Sequence, residues 1–303
     1  MTDKVRLTMV VLFAIGCGVA VLLGTREQPV SFASVLEIWG DVLRDADQIG
    51  LRITRVTDAE EMQLGRDLAA ASPWPPATDP GWQAYVEDVG RALTPHVRRN
   101  GIGFEFHVVE WAAPNAFAIA GGHVYITTGM LGLLESEAEL AAILGHEISH
   151  VDLRHCIERY QYALKLRKSP AEPVGHLVDM FRTLASAEYG KFQEQEADAQ
   201  GVRLAAEAGY NPEAAARVFR RLDQRAARPA PDAAKSPVAE SARAAGQALG
   251  DYFRSHPRSA DRAARLGEQI RRYQVAGATA NAHYEGRENY HRRVARSRAS
   301  FDQ

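Results

Sequence analysis

The sequence predicts an α+β fold, predominantly helical, with a small sheet ahead of a long amphipathic helix and one apolar helix at the N-terminus. Three observations predict it. Apolar residues recur at helical spacing along most of the chain. Period two takes over only at Phe104–Val109, Asn115–Ala120 and His123–Thr127. Leu7 to Gly24 runs for eighteen residues without a charge, behind Lys4 and Arg6.

At 1.5 Å per helical residue that run covers roughly 27 Å, close to the hydrocarbon thickness of a bilayer. Residues 1–25 are therefore expected to form an uncleaved single-pass anchor, with the rest of the chain on the outer side of the cell membrane by the positive-inside bias. Two alternatives remain open at this point. Ala14-Ile15-Gly16-Cys17 passes as a lipoprotein box, and a cleaved signal segment would also fit. Residues 26–56 read as an amphipathic connector, with Phe32, Val35, Leu36 and Trp39 on one stripe.

A helix is expected from Thr57 to Ala71, and another over 80–98. The three period-two runs then suggest a small antiparallel sheet, with Gly121-Gly122 in a turn and His107 and His123 as ordinary strand residues.

The centre of the pattern is His146-Glu147-Ile148-Ser149-His150. Four residues apart on a helix, His146 and His150 share a face and can converge on one Zn²⁺. Glu147 is aimed past the ion, where it can take a proton from attacking water. Ser136-Glu137-Ala138-Glu139 reads as a capping box, and Leu140, Ile143, Leu144 and Val151 supply an apolar stripe. A two-histidine site needs a third protein ligand. In the run Glu194-Gln195-Glu196-Ala197-Asp198, Glu194 and Asp198 share a face with Ala197, Gly201 and Ala205, while Glu196 points elsewhere. Glu194 is the expected ligand and Asp198 the group that orients a ligand imidazole. Between the two motifs, Leu177, Met180, Phe181, Leu184 and Tyr189 form a stripe that reads as core packing, with a lid as the alternative.

Residues 226–247, rich in Ala and Pro, read as a mobile loop, and 276–303 as a basic, solvated tail. Net charge is −2, which gives no footprint for nucleic acid. Two cysteines, Cys17 and Cys156, make no disulfide framework.

Taken together, HEISH, Glu194-x-x-Ala197-Asp198, Asn115-Ala116-Phe117-Ala118 and Gly121-Gly122 resemble the HtpX/BepA/Oma-type zinc endopeptidases, gluzincins of the group that also holds the CAAX prenyl protease. The resemblance covers most of the chain and implies a gluzincin-type metalloprotease domain over 57–275, one zinc per chain, and protein or peptide substrates. It implies that Glu194 is the third ligand, and that an edge strand carrying Asn115, Ala116, Phe117, Gly121 and Gly122 binds substrate. It further implies that His256 can approach the zinc as a fourth, latency-enforcing ligand, that Arg262 lies near the site where it could stabilise an oxyanion, and that the substrates are misfolded envelope proteins. The chain departs from the HtpX type in having one candidate span. Rival readings are a zinc-holding chaperone-like factor of the envelope, closed by His256, and a zinc hydrolase of non-peptide substrates.

Overall fold

The structure, a computed structural model, describes residues 56–166, 180–182, 184–185, 189–227, 256, 262–275 and 284–301. The expected anchor, the connector up to residue 55, Cys17 and most of the 226–247 loop lie outside these residues. No helix among the described residues is long and apolar enough to cross a membrane.

Helix α1 (Asp58–Ala70) starts at a reciprocal capping box between Thr57 and Glu60. Helix α2 (Pro80–Leu93) has Asp79 as N-cap and Pro80 in its first turn, where a missing N–H costs nothing. It ends earlier than the expected residue 98. Pro95 cannot donate to Arg91, so the chain tightens into a 3₁₀ turn at Thr94–His96.

Strands β1 (Glu105–Val109), β2 (Ala116–Ile119) and β3 (His123–Thr127) form one sheet in the order β1-β3-β2. β2 and β3 are an antiparallel hairpin, but β1 runs parallel to β3 with Glu105 beside His123. The sheet is therefore mixed, not antiparallel as expected. Alternation fixes which face a side chain takes, and it is silent on strand direction. One face packs Phe106, Val108, Val124 and Ile126 onto Tyr85, Val86, Val89 and the helices beyond. Gly90 lets α2 lie flat on it, since a Cβ there would meet Phe106 Cζ at 2.3 Å. The other face packs Val109, Phe117, Ile119 and Tyr125 under Leu68, Met180, Phe181 and Leu184. The apolar stripe before Tyr189 is thus core on its described residues, each such side chain adding about 1.5–3 kcal/mol on burial.

A short turn, α3 (Thr128–Leu131), leads to α4 (Glu137–Asp152), every residue of which is buried. Its cap is not quite the expected box. Ser136 Oγ accepts from Glu139 N, but the Glu139 carboxylate accepts from Glu135 N and from Arg221. Then follow α5 (His155–Leu166), α6 (Lys191–Glu207), α7 (Glu213–Ala227), α8 (Arg262–Val275) and α9 (Arg287–Arg292). The basic tail is not a solvated end over its described part. Gly286 O and Glu285 O accept the first N–H groups of α4, those of Glu137 and Ala138, which the helix itself leaves unpaired. Tyr290 and Ala295 are buried, and Arg298 pairs with Asp88 at 2.5 Å.

Candidate metal centre

Helices α4 and α6 cross at two glycines. A Cβ on Gly201 would lie 2.9 Å from His146 N, and one on Gly145 would lie 3.1 Å from Gly201 O. Only hydrogen side chains allow this approach, and it carries the carboxylates of α6 to the histidines of α4.

The structure brings together His146, His150, Glu194 and His256 with their ligand atoms all within 4.8 Å of one another. His146 Nε2 lies 3.1 Å from His150 Nε2 and 3.3 Å from His256 Nδ1. Glu194 Oε1 lies 2.9 Å from His256 Nδ1 and 3.3 Å from His150 Nε2. Two imidazoles on one helix, a carboxylate on another and a third imidazole make a donor set suited to Zn²⁺. The surroundings fit as well. Glu147 is fully buried, and neither of its oxygens accepts a hydrogen bond among the described residues. Its Oε1 faces His256 Nε2 at 3.4 Å. A buried carboxylate that accepts no hydrogen bond is costly unless a charge and a proton source belong beside it.

Behind the cluster, His146 Nδ1 lies 3.0 Å from Asp198 Oδ1, so the imidazole is oriented by a carboxylate on its far nitrogen. Arg262 grips Asp198 with two nitrogens, Nη2 at 2.7 Å from Oδ1 and Nε at 3.0 Å from Oδ2. Its guanidinium also stacks over Phe219 at 3.8 Å, and Nη1 lies 3.5 Å from Glu194 Oε2. Arg262 thus sits on the Nδ1 side of His146, 3.4 Å from that nitrogen, with Nη1 reaching the Glu194 carboxylate.

Burial alone would raise the carboxyl of Glu194; the charges of His256 and His146 and the hydrogen bonds from His150 and His256 outweigh it and hold it well below the usual range. Burial likewise opposes Asp198, and Arg262 overrides it, so this group also stays ionised. Burial drives His150 well below its ordinary value, into the neutral form a metal needs. For His256 burial pulls down, but Glu194 and Glu147 win and the ring is held above its usual value.

Five residues around the cluster take roles that the motifs did not announce. His155 Nδ1 lies 3.1 Å from His150 Nδ1, and its Nε2 lies 3.4 Å from Glu196 Oε2. Glu196, pointing away from the ligands, thus steadies the second histidine through a third. Arg154, with φ +68, breaks the chain sharply between α4 and α5 and returns His155 beneath His150. Tyr189 stacks on His150 with centroids 3.6 Å apart, and Arg159 lies over the Tyr189 ring at 3.9 Å. The spacing of His155 from the HEISH helix was the available signal, readable only once that helix is known to end.

The expected substrate strand divides. β2 is an edge strand in its sheet. Thr127 N donates to Asn115 O at 3.0 Å, so by alternation Phe117 and Ile119 face β3, and Ala116 and Ala118 direct their main-chain groups outward. Ala118 O accepts from Arg159 Nη2 at 3.1 Å. Asn115 is buried, and its Oδ1 accepts no hydrogen bond among the described residues. Phe117 is core. Gly121 and Gly122 are buried turn residues with φ +83 and +91, pressed on Glu61 O and Gly103 O, and their lack of Cβ serves that packing.

The family model described as Peptidase family M48 matches residues 80–270, which contain the sheet and the whole cluster. The chain is 28% identical over 184 residues to a beta-barrel assembly-enhancing protease of Yersinia pestis, covering 54% of this chain and 37% of that protein. It is 29% identical over 191 residues to the mitochondrial metalloendopeptidase OMA1 of Arabidopsis thaliana, covering 58% of this chain and 33% of that one. With the OMA1 of Schizosaccharomyces pombe identity is 26% over 208 residues, 66% and 57% of the two chains. The alignments thus span about a third to somewhat over half of these relatives. The match over most of the described domain, and a buried His-Glu-His helix at its centre, leave one conclusion: the chain belongs to peptidase family M48.

Proposed function

We propose that the protein is a membrane-anchored zinc endopeptidase, with its catalytic domain outside the membrane and residues 1–25 as the anchor. The observation that carries the catalytic part is the convergence of His146, His150 and Glu194 beside a fully buried Glu147 that has no hydrogen-bond partner among the described residues. A bound zinc would polarise the scissile carbonyl and acidify the attacking water. Glu147 accepts the proton of that water and delivers it to the leaving amine. Asp198 fixes the tautomer of His146 by accepting from its Nδ1–H, and Arg262 keeps Asp198 charged and aimed. This positioning role suits the contacts of Arg262 better than the oxyanion role expected for it.

An extended substrate would add a strand at the edge of β2 that faces away from β3, using the main-chain groups of Ala116 and Ala118. A substrate N–H would compete with Arg159 for Ala118 O, and Asn115 Oδ1 would accept a second main-chain N–H. The names of the relatives, beta-barrel assembly-enhancing protease and mitochondrial metalloendopeptidase, support protein substrates.

His256 supports a second state. Its Nδ1 lies 3.3 Å from His146 Nε2 and 2.9 Å from Glu194 Oε1, inside the same donor cluster, so it can fill the position that water needs and hold the enzyme latent. Permanently closed, this would be the zinc-holding, chaperone-like factor instead. The test is casein cleavage and zinc content of the wild type, Glu147→Gln and His256→Ala. Glu147→Gln should keep one catalytic zinc and lose roughly 10²–10⁴ in rate, whereas His256→Ala should cleave faster than the wild type. Full activity in Glu147→Gln would sink the mechanism. Zinc binding without cleavage in any form would favour the closed factor.

A further inference from the structure

We propose that Glu105, His107 and His123 form a second metal site, for Zn²⁺ or another divalent ion that takes imidazole and carboxylate ligands. It lies at the end of the sheet where β3 begins, apart from the HEISH helix.

Strand pairing builds it. In the parallel β1–β3 ladder Glu105 stands beside His123, and His107 is two residues on along the same face of β1. His107 Nε2 lies 3.0 Å from His123 Nδ1, and Glu105 Oε2 lies 3.6 Å from the same Nδ1. Donors about 2.0–2.1 Å from a tetrahedral zinc are about 3.3 Å from each other, so these separations bracket what one ion requires. Hydrogen bonding alone explains the group less well. His107 Nε2 and His123 Nδ1 share one hydrogen bond, whichever ring donates, and it leaves the Glu105 carboxylate, 3.6 Å from Nδ1, beyond hydrogen-bond reach and unaccounted for. A cation answers all three lone pairs at once.

The surroundings suit an ion. Glu105 is 65% exposed and opens the site to solvent, while the side chain of His123 is only 4% exposed. Gly65 of α1 makes room for that ring, since a Cβ there would lie 2.9 Å from His123 Cδ2. The His107 ring is held in place by Tyr125, stacked with centroids 4.5 Å apart. An ion here would tie β1 to β3 directly beside the turn that leads out of β2. Mixed N/O ligation admits Zn²⁺, Ni²⁺ and Cu²⁺ and disfavours Mg²⁺ and Ca²⁺.

The test is zinc stoichiometry of the full chain in mild detergent, stripped with chelator and dialysed against graded free Zn²⁺. The wild type should take up two equivalents, one tighter and one weaker. Glu105→Gln, at an exposed position where folding is not at stake, should weaken the second equivalent, and His107→Gln should abolish it; both should keep casein cleavage. One equivalent in the wild type across the range, or two undiminished equivalents in both variants, would overturn the proposal. His150→Ala separates this site from the catalytic one. An equivalent that survives His150→Ala and disappears in His107→Gln belongs to the sheet, whatever becomes of the protease reading.

Discussion

At the scale of single residues, the chemistry rests on who holds whom. Asp198 faces His146 Nδ1 on one side and a two-pronged Arg262 on the other. Asp198→Asn would keep the shape and remove the charge that favours the metal-ready tautomer of His146. Zinc affinity should fall about 10–100-fold, measured by competition with a chromophoric chelator, with little change in fold. An unchanged affinity would mean that Arg262 and Asp198 form a structural pair only. Much at this scale was legible in the sequence, because helical periodicity converts spacing into direction: it put Glu194 and Asp198 on one face and Glu196 on another. What it could not supply were contacts made across a chain reversal. His155 reaches His150 only because Arg154 adopts a left-handed conformation, and nothing in the motif announces that.

At the scale of elements, the site is a product of one helix crossing. Gly145 and Gly201 set the distance between α4 and α6, and through it the reach of Glu194. Gly201→Ala would force a methyl to 2.9 Å from the His146 backbone nitrogen, a contact that no rotamer change relieves. Overpacking of this kind costs about 1–3 kcal/mol, and here it should also lower zinc affinity by shifting the ligand carboxylate. Gly267→Ala on α8 is the control: its Cβ would meet only the end of Arg271, at 3.7 Å, so it should be neutral or stabilising by about 0.5–1 kcal/mol. Thermal melts with and without zinc would separate the two, and equal behaviour would break the link between crossing distance and site. The elements themselves were mostly legible, since caps and periodicity are local signals. Sheet polarity was not, because β1 and β3 become neighbours only when β2 has turned back at Gly121-Gly122.

At the scale of the whole molecule, burial of neutral histidines sets the response to acid. His107 and His155 are both held down to about 4, chiefly by desolvation, against an ordinary value of 6.5. In the unfolded chain they take up protons below about 6.5; in the folded protein they resist until about 4. The unfolded state therefore binds more protons across that window, and stability falls as pH drops from 6.5 towards 4, then levels off for these two groups. Each shift corresponds to on the order of 3 kcal/mol, so the pair is large beside a typical total of about 5–15 kcal/mol. The effect belongs to the fold and not to zinc release, so it should persist in metal-stripped protein, where urea midpoints should decline steeply between pH 6.5 and 4. Replacing His107 by Asn removes one titrating group and should flatten that decline, even if the variant starts less stable at pH 7. A stripped protein with a flat profile through this window would show that the two rings exchange protons freely in the folded state. The two rings, at the sheet end and at the start of α5, would then be more open to water than their packing implies.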